Sequence, residues 1–472
     1  MVFNSIAFVI FLPIVVALFY LLPQKARWLM LLVASCVFYM WFVPKYILIL
    51  LVTIVIDYAA GLLMERYADK PRKKKAFMII SIVSTLTVLI IFKYLNFLTE
   101  NLDQLCASLG METHLVTHII LPIGLSFHTF QSMSYVIEVY RDHQKAERHF
   151  GYYALYVMFF PQLVTGPIER PGNLLRQLHE KKEFHYENIS KGMRLILFGF
   201  FVKMVVADHL GEYVDEVYGH LDEYNSWTVL ACMVFYSFQI YCDFFGYSTI
   251  ALGSAKLMGF DITDNFKSPY LSKNIAEFWH RWHISLSTWF RDYVYIPLGG
   301  SRVKVGRWAF NILVVFVLSG IWHGAAWTFL LWGFAHGLLH IVEKALRDRI
   351  PTKEPQSKWL KALVDVLCIL KTFVLVTLFW VMFRATDFEH LRAIFMTAFT
   401  NFGGGEQMSV KPDMWVYLGL FILSDILLRN SRFDVWCDDK PLAVRWLVYA
   451  VLAFMVIACS SVANFPFIYF QF

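Results

Sequence analysis

The sequence predicts an all-α integral membrane protein that crosses the bilayer many times, and three observations lead there. Of 472 residues, 58% are hydrophobic and 18% aromatic, with only 17% charged, and the mean hydropathy is +0.53. A soluble chain of this length needs far more charge to cover its surface. Apolar runs recur along the whole chain instead of forming one anchor, which suits spanning helices whose backbone groups are satisfied internally. They supply about eleven to thirteen candidate crossings, some of them short and interrupted by Gly or Pro. The loops between the runs also alternate in charge, which says more than the formal net charge of +6.

The first run, MVFNSIAFVIFLPIVVALFYLL, has neither a basic leader nor a small-residue cleavage site, so it reads as a retained helix interrupted by Pro13. Lys25 and Arg27 follow it, and Arg66, Lys70, Arg72, Lys73, Lys74 and Lys75 follow the third run. The next loop, TENLDQLCASLGMETH, has no Lys or Arg. RDHQKAERH and ERPGNLLRQLHEKKEFHYENISKGMR are basic again, whereas DHLGEYVDEVYGHLDEYNS is acidic. The positive-inside rule makes the basic loops cytoplasmic and the N-terminus external. Phe150–Val164, caught between two basic loops, then becomes a re-entrant segment. Reporter tags after Lys75 and after Lys181 are expected to be cytoplasmic, and one within residues 215–223 external; external labelling at Lys181 would break this map.

Asp57, inside the third run, reads as a partner for a neighbouring helix. Lys93 and Asn96 in FKYLNF suit a membrane boundary where Lys snorkels. LPIGLSFHTFQSMSYVIEVYR carries Ser126, His128, Gln131, Ser132, Ser134 and Glu138, a polar stripe that lines either a cavity or a helix interface. In FFPQLVTGPIERPG, Pro161, Gly166, Pro167 and Pro171 rule out a straight helix, and irregular backbone at membrane depth must be buried in protein or line a wet cavity. YSFQIYCDFFGYSTIALG takes Gln239, Asp243 and Tyr247 into the membrane. Beyond Leu363, the runs at Leu363–Phe383, Met414–Leu428 and Leu447–Val462 read as packing helices. The seven cysteines are scattered without Cys-x-x-Cys spacing, so neither a disulfide framework nor a metal site is expected.

The chain is organised around Phe278–Lys344, where titratable and aromatic residues concentrate. Trp282, Leu286, Trp289 and Tyr293 recur at helical spacing, predicting an amphipathic interfacial helix over 272–297. Arg281, Arg291, Arg302, Lys304 and Arg307 lie on its other faces and beyond it; they suit anionic lipid, or an anionic, phosphate-bearing donor. His283, between Trp279 and Ser287, falls off the main apolar line and can turn inward. His323 sits in VVFVLSGIWHGAAWTFLLWG, which has no Lys, Arg, Asp or Glu. An ionisable group in such a run marks a functional site by default.

LPIGLSFHTFQSMSYVIEVYR, FFPQLVTGPIERP, YCDFFGYSTIALG, NFKSPYLSKNIAEFWHRWHISLSTWFRDYVYIPLGG and SGIWHG together resemble the membrane-bound O-acyltransferase family. The resemblance is to its bacterial branch of alginate O-acetylation and D-alanyl-lipoteichoic acid proteins, the alginate type more closely, over about residues 90–345. Thr249 stands where that pattern has an acidic residue. The resemblance implies one polytopic domain over 1–472, a ring of membrane helices with re-entrant segments and amphipathic helices around a central tunnel. It makes His323 the invariant histidine and His283 the second, Asn-or-His position.

Acyl transfer from a thioester to a hydroxyl needs a base and a donor toward the developing oxyanion, and imidazole suits the base. The expected roles are base for His323 and positioning for His283, with Trp279, Trp282, Trp322, Ser287, Asp243, Gln239, His128 and Arg281 lining the cavity. With no Ser or Cys placed as a nucleophile, transfer is expected to be direct. Should the histidines share a cavity, a funnel from the cytoplasm narrows toward His323. The remaining expectations are no bound cofactor or metal and a cytoplasmic thioester donor, acetyl-CoA or an acyl carrier. The setting is the lipid of the bacterial inner membrane, with an extracytoplasmic esterase-like partner and no nucleic acid. D-alanyl transfer is the alternative within the branch. A proton-relay transporter is the alternative from another class, and no inverted repeat supports it.

Overall fold

Runs rich in Leu, Val, Ile and Phe coil into helices here because only that conformation closes the backbone hydrogen bonds within the segment. The computed structural model describes residues 1–111, 113, 119–164, 166–349, 357–461 and 467–468. Among these residues the fold is helical throughout, and Tyr224 with Glu406 forms an isolated parallel bridge. Among the described residues, five helical stretches are long and apolar enough to cross a membrane: Pro44–Arg66, Pro71–Ser108, Ser226–Leu257, Val305–His323 and Lys358–Arg384. Other apolar runs form shorter helices. Ile6–Leu21 and Leu442–Ala458 are apolar but have 16 and 17 residues, below the roughly 20 that span a ~30 Å core. The run expected at Leu447–Val462 is described only in part, since Val462 lies outside the described residues. So do Glu112 and His114 of the loop that lacks Lys and Arg.

The chain divides into two compact units. The first comprises Met1–Ile196 and Tyr247–Thr263. In it Asp57, 1% exposed, accepts hydrogen bonds from Ser81 and from Thr85 at 3.1 Å, so it does pair with the next helix. The polar stripe on Leu125–Tyr140 resolves as a helix interface. Ser132 and Ser134 are buried, and Gln131 donates to the Tyr156 carbonyl at 2.5 Å. Lys93 does not snorkel outward but donates to Ser126 Oγ at 3.4 Å. Phe150–Val164 is a nine-residue helix, Phe150–Met158, a break at Phe159, and one further turn, Phe160–Leu163. At ~1.5 Å per residue the longer piece spans only about 13 Å, too little to cross. The flanking basic loops are tied together: Lys74 to Asp142 at 2.6 Å, Arg148 to Glu65 at 3.0 Å, and His179 to Glu147 at 2.7 Å. Exposed pairs of this kind stabilise by only about 0–1 kcal/mol. Their value is positional, since loops bonded to one another lie on one side of a membrane.

The second unit comprises Leu197–Gly246 and Asp264–Phe472. Its centre is a helical hairpin, Val305–His323 and Trp327–Arg349, turning at 324–326. The run expected to be intramembrane over 314–333 is therefore two helix ends and a turn, with His323 the last helical residue. Gly320 and Gly333 permit the close approach. A Cβ on Gly320 would lie 2.3 Å from the Phe329 carbonyl oxygen, and one on Gly333 2.3 Å from that of Phe316. Lys358–Arg384 packs alongside, linked by Lys371 to Glu343 at 2.5 Å. The hairpin tip is fixed by Thr328, which donates to the Ala385 carbonyl at 3.1 Å. Beside Ala385, Arg384 pairs with Asp215 of the acidic loop at 2.9 Å. His323 thus lies toward the acidic-loop end of this unit.

Candidate active site

The stretch expected as one amphipathic helix over 272–297 is broken in the middle. It runs as a turn at Pro269–Leu271, a helix at Ile275–Arg281, a second at Ile284–Phe290 and a widened turn at Arg291–Tyr295. The break is His283 itself, whose φ of +43° is left-handed. Such a backbone is uncommon outside glycine and is held only where surroundings over-determine it. Asn265 does this: its carbonyl accepts from Ile284 N–H at 3.0 Å, and its Oδ1 accepts from Ser285 Oγ at 2.7 Å. Asn274 caps the preceding helix, accepting from Glu277 N–H at 2.9 Å. Periodicity continues across such a kink unchanged, so the pattern of Trp282, Leu286 and Trp289 could not reveal it.

The kinked segment runs along the second hairpin helix. Ile275 N–H donates to Glu343 at 2.8 Å, and Trp279 Nε1 donates to His336 Nδ1 at 3.3 Å. From Glu343 to His336 is seven helical residues, about 10 Å of inward travel. His283 then meets His323, with ring centroids 6.5 Å apart and an interplanar angle of 63°. At that separation the two imidazoles do not hydrogen-bond each other directly. Trp322 lies against both rings, at 6.0 Å from His283 and 4.9 Å from His323. Phe244, Trp332 and Phe383 complete an apolar cage in which a charge interacts strongly with its neighbours. His283 is fully buried, and burial pushes its pKa down to about 3. Its imidazole is neutral at ordinary pH, a hydrogen-bonding group rather than a cation.

A cavity of about 360 Å³, lined by Trp279, Ser287, Arg291, Tyr295, Ser319 and His340 among others, reaches Ile284 beside His283, while neither His283 nor His323 is among its lining residues. Ser319 precedes His323 by one helical turn, about 6 Å. Trp279 and Ser287 line this cavity, and Trp322 packs on both His283 and His323. Other candidates do not line it. Trp282 is buried among Tyr241, Phe266, Phe278 and Trp380. Arg281 pairs with Glu277 at 3.0 Å. Asp243 belongs to a buried ion cluster, with Lys203 Nζ at 2.5 Å from it and 2.7 Å from Asp208. Gln239 lies one turn before Asp243 on Ser226–Leu257 and is not among the cavity residues. His128, in the first unit, has Nε2 at 3.1 Å from Thr53 Oγ1. Asp243, Arg281 and His128 thus have structural partners. Among the described residues no cluster of three or more His, Cys, Asp or Glu is placed to hold a metal.

Sequence reasoning missed His336 and Asn265. His336 is 0% exposed and accepts a hydrogen bond from the Trp279 indole N–H. The signal was available, because Trp332, His336 and His340 recur every four residues on one face of an apolar helix. Asn265 carried no such signal.

The model of the membrane-bound O-acyltransferase family matches residues 39–383. The chain belongs to that family. It is 34% identical over 499 residues to the probable alginate O-acetylase AlgI of Pseudomonas putida, covering all of both chains. It is 32% identical to the peptidoglycan O-acetyltransferase of Helicobacter pylori, over 82% of this chain and 78% of that one. The teichoic acid D-alanyltransferase of Bacillus subtilis is 28% identical over 58% of this chain and 71% of its own. This member of the membrane-bound O-acyltransferase family is a multi-pass integral membrane enzyme of acyl transfer, and its histidine pair lies inside the matched region.

Proposed function

We propose that the enzyme takes an acetyl group from acetyl-CoA on the cytoplasmic side and passes it toward the hydroxyl of a cell-envelope polysaccharide. The transfer runs across the bacterial inner membrane and through an extracytoplasmic esterase-like partner. The observation that carries this reading is the approach of His283 and His323 beside a cavity. That cavity bears Arg291 and His280, and the Arg291 guanidinium suits a phosphate-bearing thioester. His323, as general base, takes the proton of the acceptor hydroxyl while its oxygen attacks the thioester carbonyl. A C–O bond forms, the C–S bond breaks, and the thiolate leaves with the proton returned by His323. Neutral His283 orients the reacting group from the opposite side. Likeness to an alginate O-acetylase over the full length of both chains favours acetyl over D-alanyl; the D-alanyltransferase likeness covers 58% of this chain.

The test is donor dependence. Purified protein in detergent, given radiolabelled acetyl-CoA and a soluble polysaccharide or its partner, is expected to move label to the acceptor. A D-alanyl-loaded phosphopantetheine carrier should give none. Transfer from the carrier alone would establish D-alanylation in its place.

A further inference from the structure

Besides Trp322, four tryptophans crowd the histidine pair and its approach, and their indole N–H groups are differently employed. Trp279 donates to His336 Nδ1 at 3.3 Å, and Trp380 donates to Tyr270 Oη at 3.0 Å. Trp282 and Trp332 are fully buried, and among the described residues their Nε1 atoms have no acceptor. A buried donor without an acceptor carries a standing desolvation penalty, and sites of this kind repay it when a ligand supplies the acceptor.

Of the two, Trp332 touches the reacting histidine. Its ring meets His323 edge-on, at 5.1 Å and 87°. It is also held more firmly than a surface indole. Trp380 stacks on it at 5.8 Å, Phe383 packs at 5.2 Å, and Trp279 of the cavity wall packs at 5.6 Å. The adjacent Gly333 sits where the hairpin helices are closest. A rigid N–H donor in an apolar cage, touching the base and the cavity wall, has the attributes needed to stabilise charge on a carbonyl oxygen.

We propose that the Trp332 indole N–H donates the hydrogen bond that receives the thioester carbonyl oxygen and stabilises its negative charge as the acceptor oxygen attacks. The carbonyl π pair moves onto that oxygen as the C–O bond forms. It returns when the C–S bond breaks, and the proton held by His323 goes to the leaving thiolate. The proposal rests on the acyl-transfer reading of the histidine pair.

The experiment replaces Trp332 by 3-benzothienyl-alanine, which keeps the ring shape and exchanges only N–H for sulfur, with Trp332→Phe as a second variant. Initial rates against acetyl-CoA concentration are measured for purified wild type and both variants, together with thermal unfolding in detergent. Losing one such donor typically lowers kcat by about 10²–10³-fold. The expected result is a fall of that order in both variants, with KM within about threefold and unaltered unfolding of the isosteric one. A kcat within about threefold of wild type in the isosteric variant would overturn the proposal, as would a loss confined to KM. If Trp332→Phe fails to fold, the isosteric variant alone decides. Wild-type protein that uses no acetyl-CoA would overturn the underlying reading as well, which separates the two failures.

Discussion

His323→Ala is expected to lower acyl transfer by roughly two to four orders of magnitude, the usual contribution of a positioned general base. Expression and membrane insertion should stay close to wild type. The imidazole ends a helix whose packing depends on Gly320 and Gly333 rather than on the ring, and Trp322, Trp332 and Phe383 remain to wall the space. The check is the initial rate of label transfer by purified variant and wild type at matched protein concentration. Near wild-type transfer would remove His323 from the chemistry. His283→Ala makes an instructive companion, because it removes the opposite ring and leaves the base in place.

The second large effect is structural. Gly333→Val places a Cβ 2.3 Å from the Phe316 carbonyl oxygen and 3.3 Å from Gly320 Cα. Both are backbone atoms that cannot rotate away. The hairpin helices must separate, and overpacking of this kind typically destabilises by about 1–3 kcal/mol or more. Activity should fall further than stability, because separating the helices carries Trp332 away from His323. Thermal unfolding and transfer rates, measured at a temperature where the variant is still folded, test this. Gly306→Ala is the comparison, since nothing lies within 4 Å of a Cβ there. Equal behaviour of the two variants would show that close helix approach does not matter.

Much of the candidate site was legible because buried histidines in apolar runs are rare. A histidine in a run without charged residues, as at His323, draws attention by composition alone, and Trp322–His323 and Trp282–His283 repeat the same dipeptide. What could not be read was the backbone between them. Helical spacing continues through Trp282, Leu286 and Trp289 although the helix stops at His283, because a local kink resets direction without changing which residues are apolar. Asp243, Arg281 and His128 misled for a related reason. An ionisable side chain in an apolar run signals that it needs a partner, and only tertiary packing decides whether that partner is a substrate or another residue. Lys203, Glu277 and Thr53 are the partners here. Hydropathy registers apolar length, and it could not show the breaks inside several runs, as at Phe159.

The left-handed backbone at His283 also restricts which amino acids can occupy that position. Most side chains clash there, β-branched ones worst; glycine fits freely, and Asn, Asp and His are the usual exceptions. Glycine brings no hydrogen-bonding group, and aspartate would bury a charge in a cage of aromatic rings. Asparagine and histidine, each a neutral group able to donate and accept, are among the residues that suit it. Ser268, at a φ of +44°, shows that other small polar residues also hold such a backbone in this chain, so the kink favours a neutral polar residue without fixing which one.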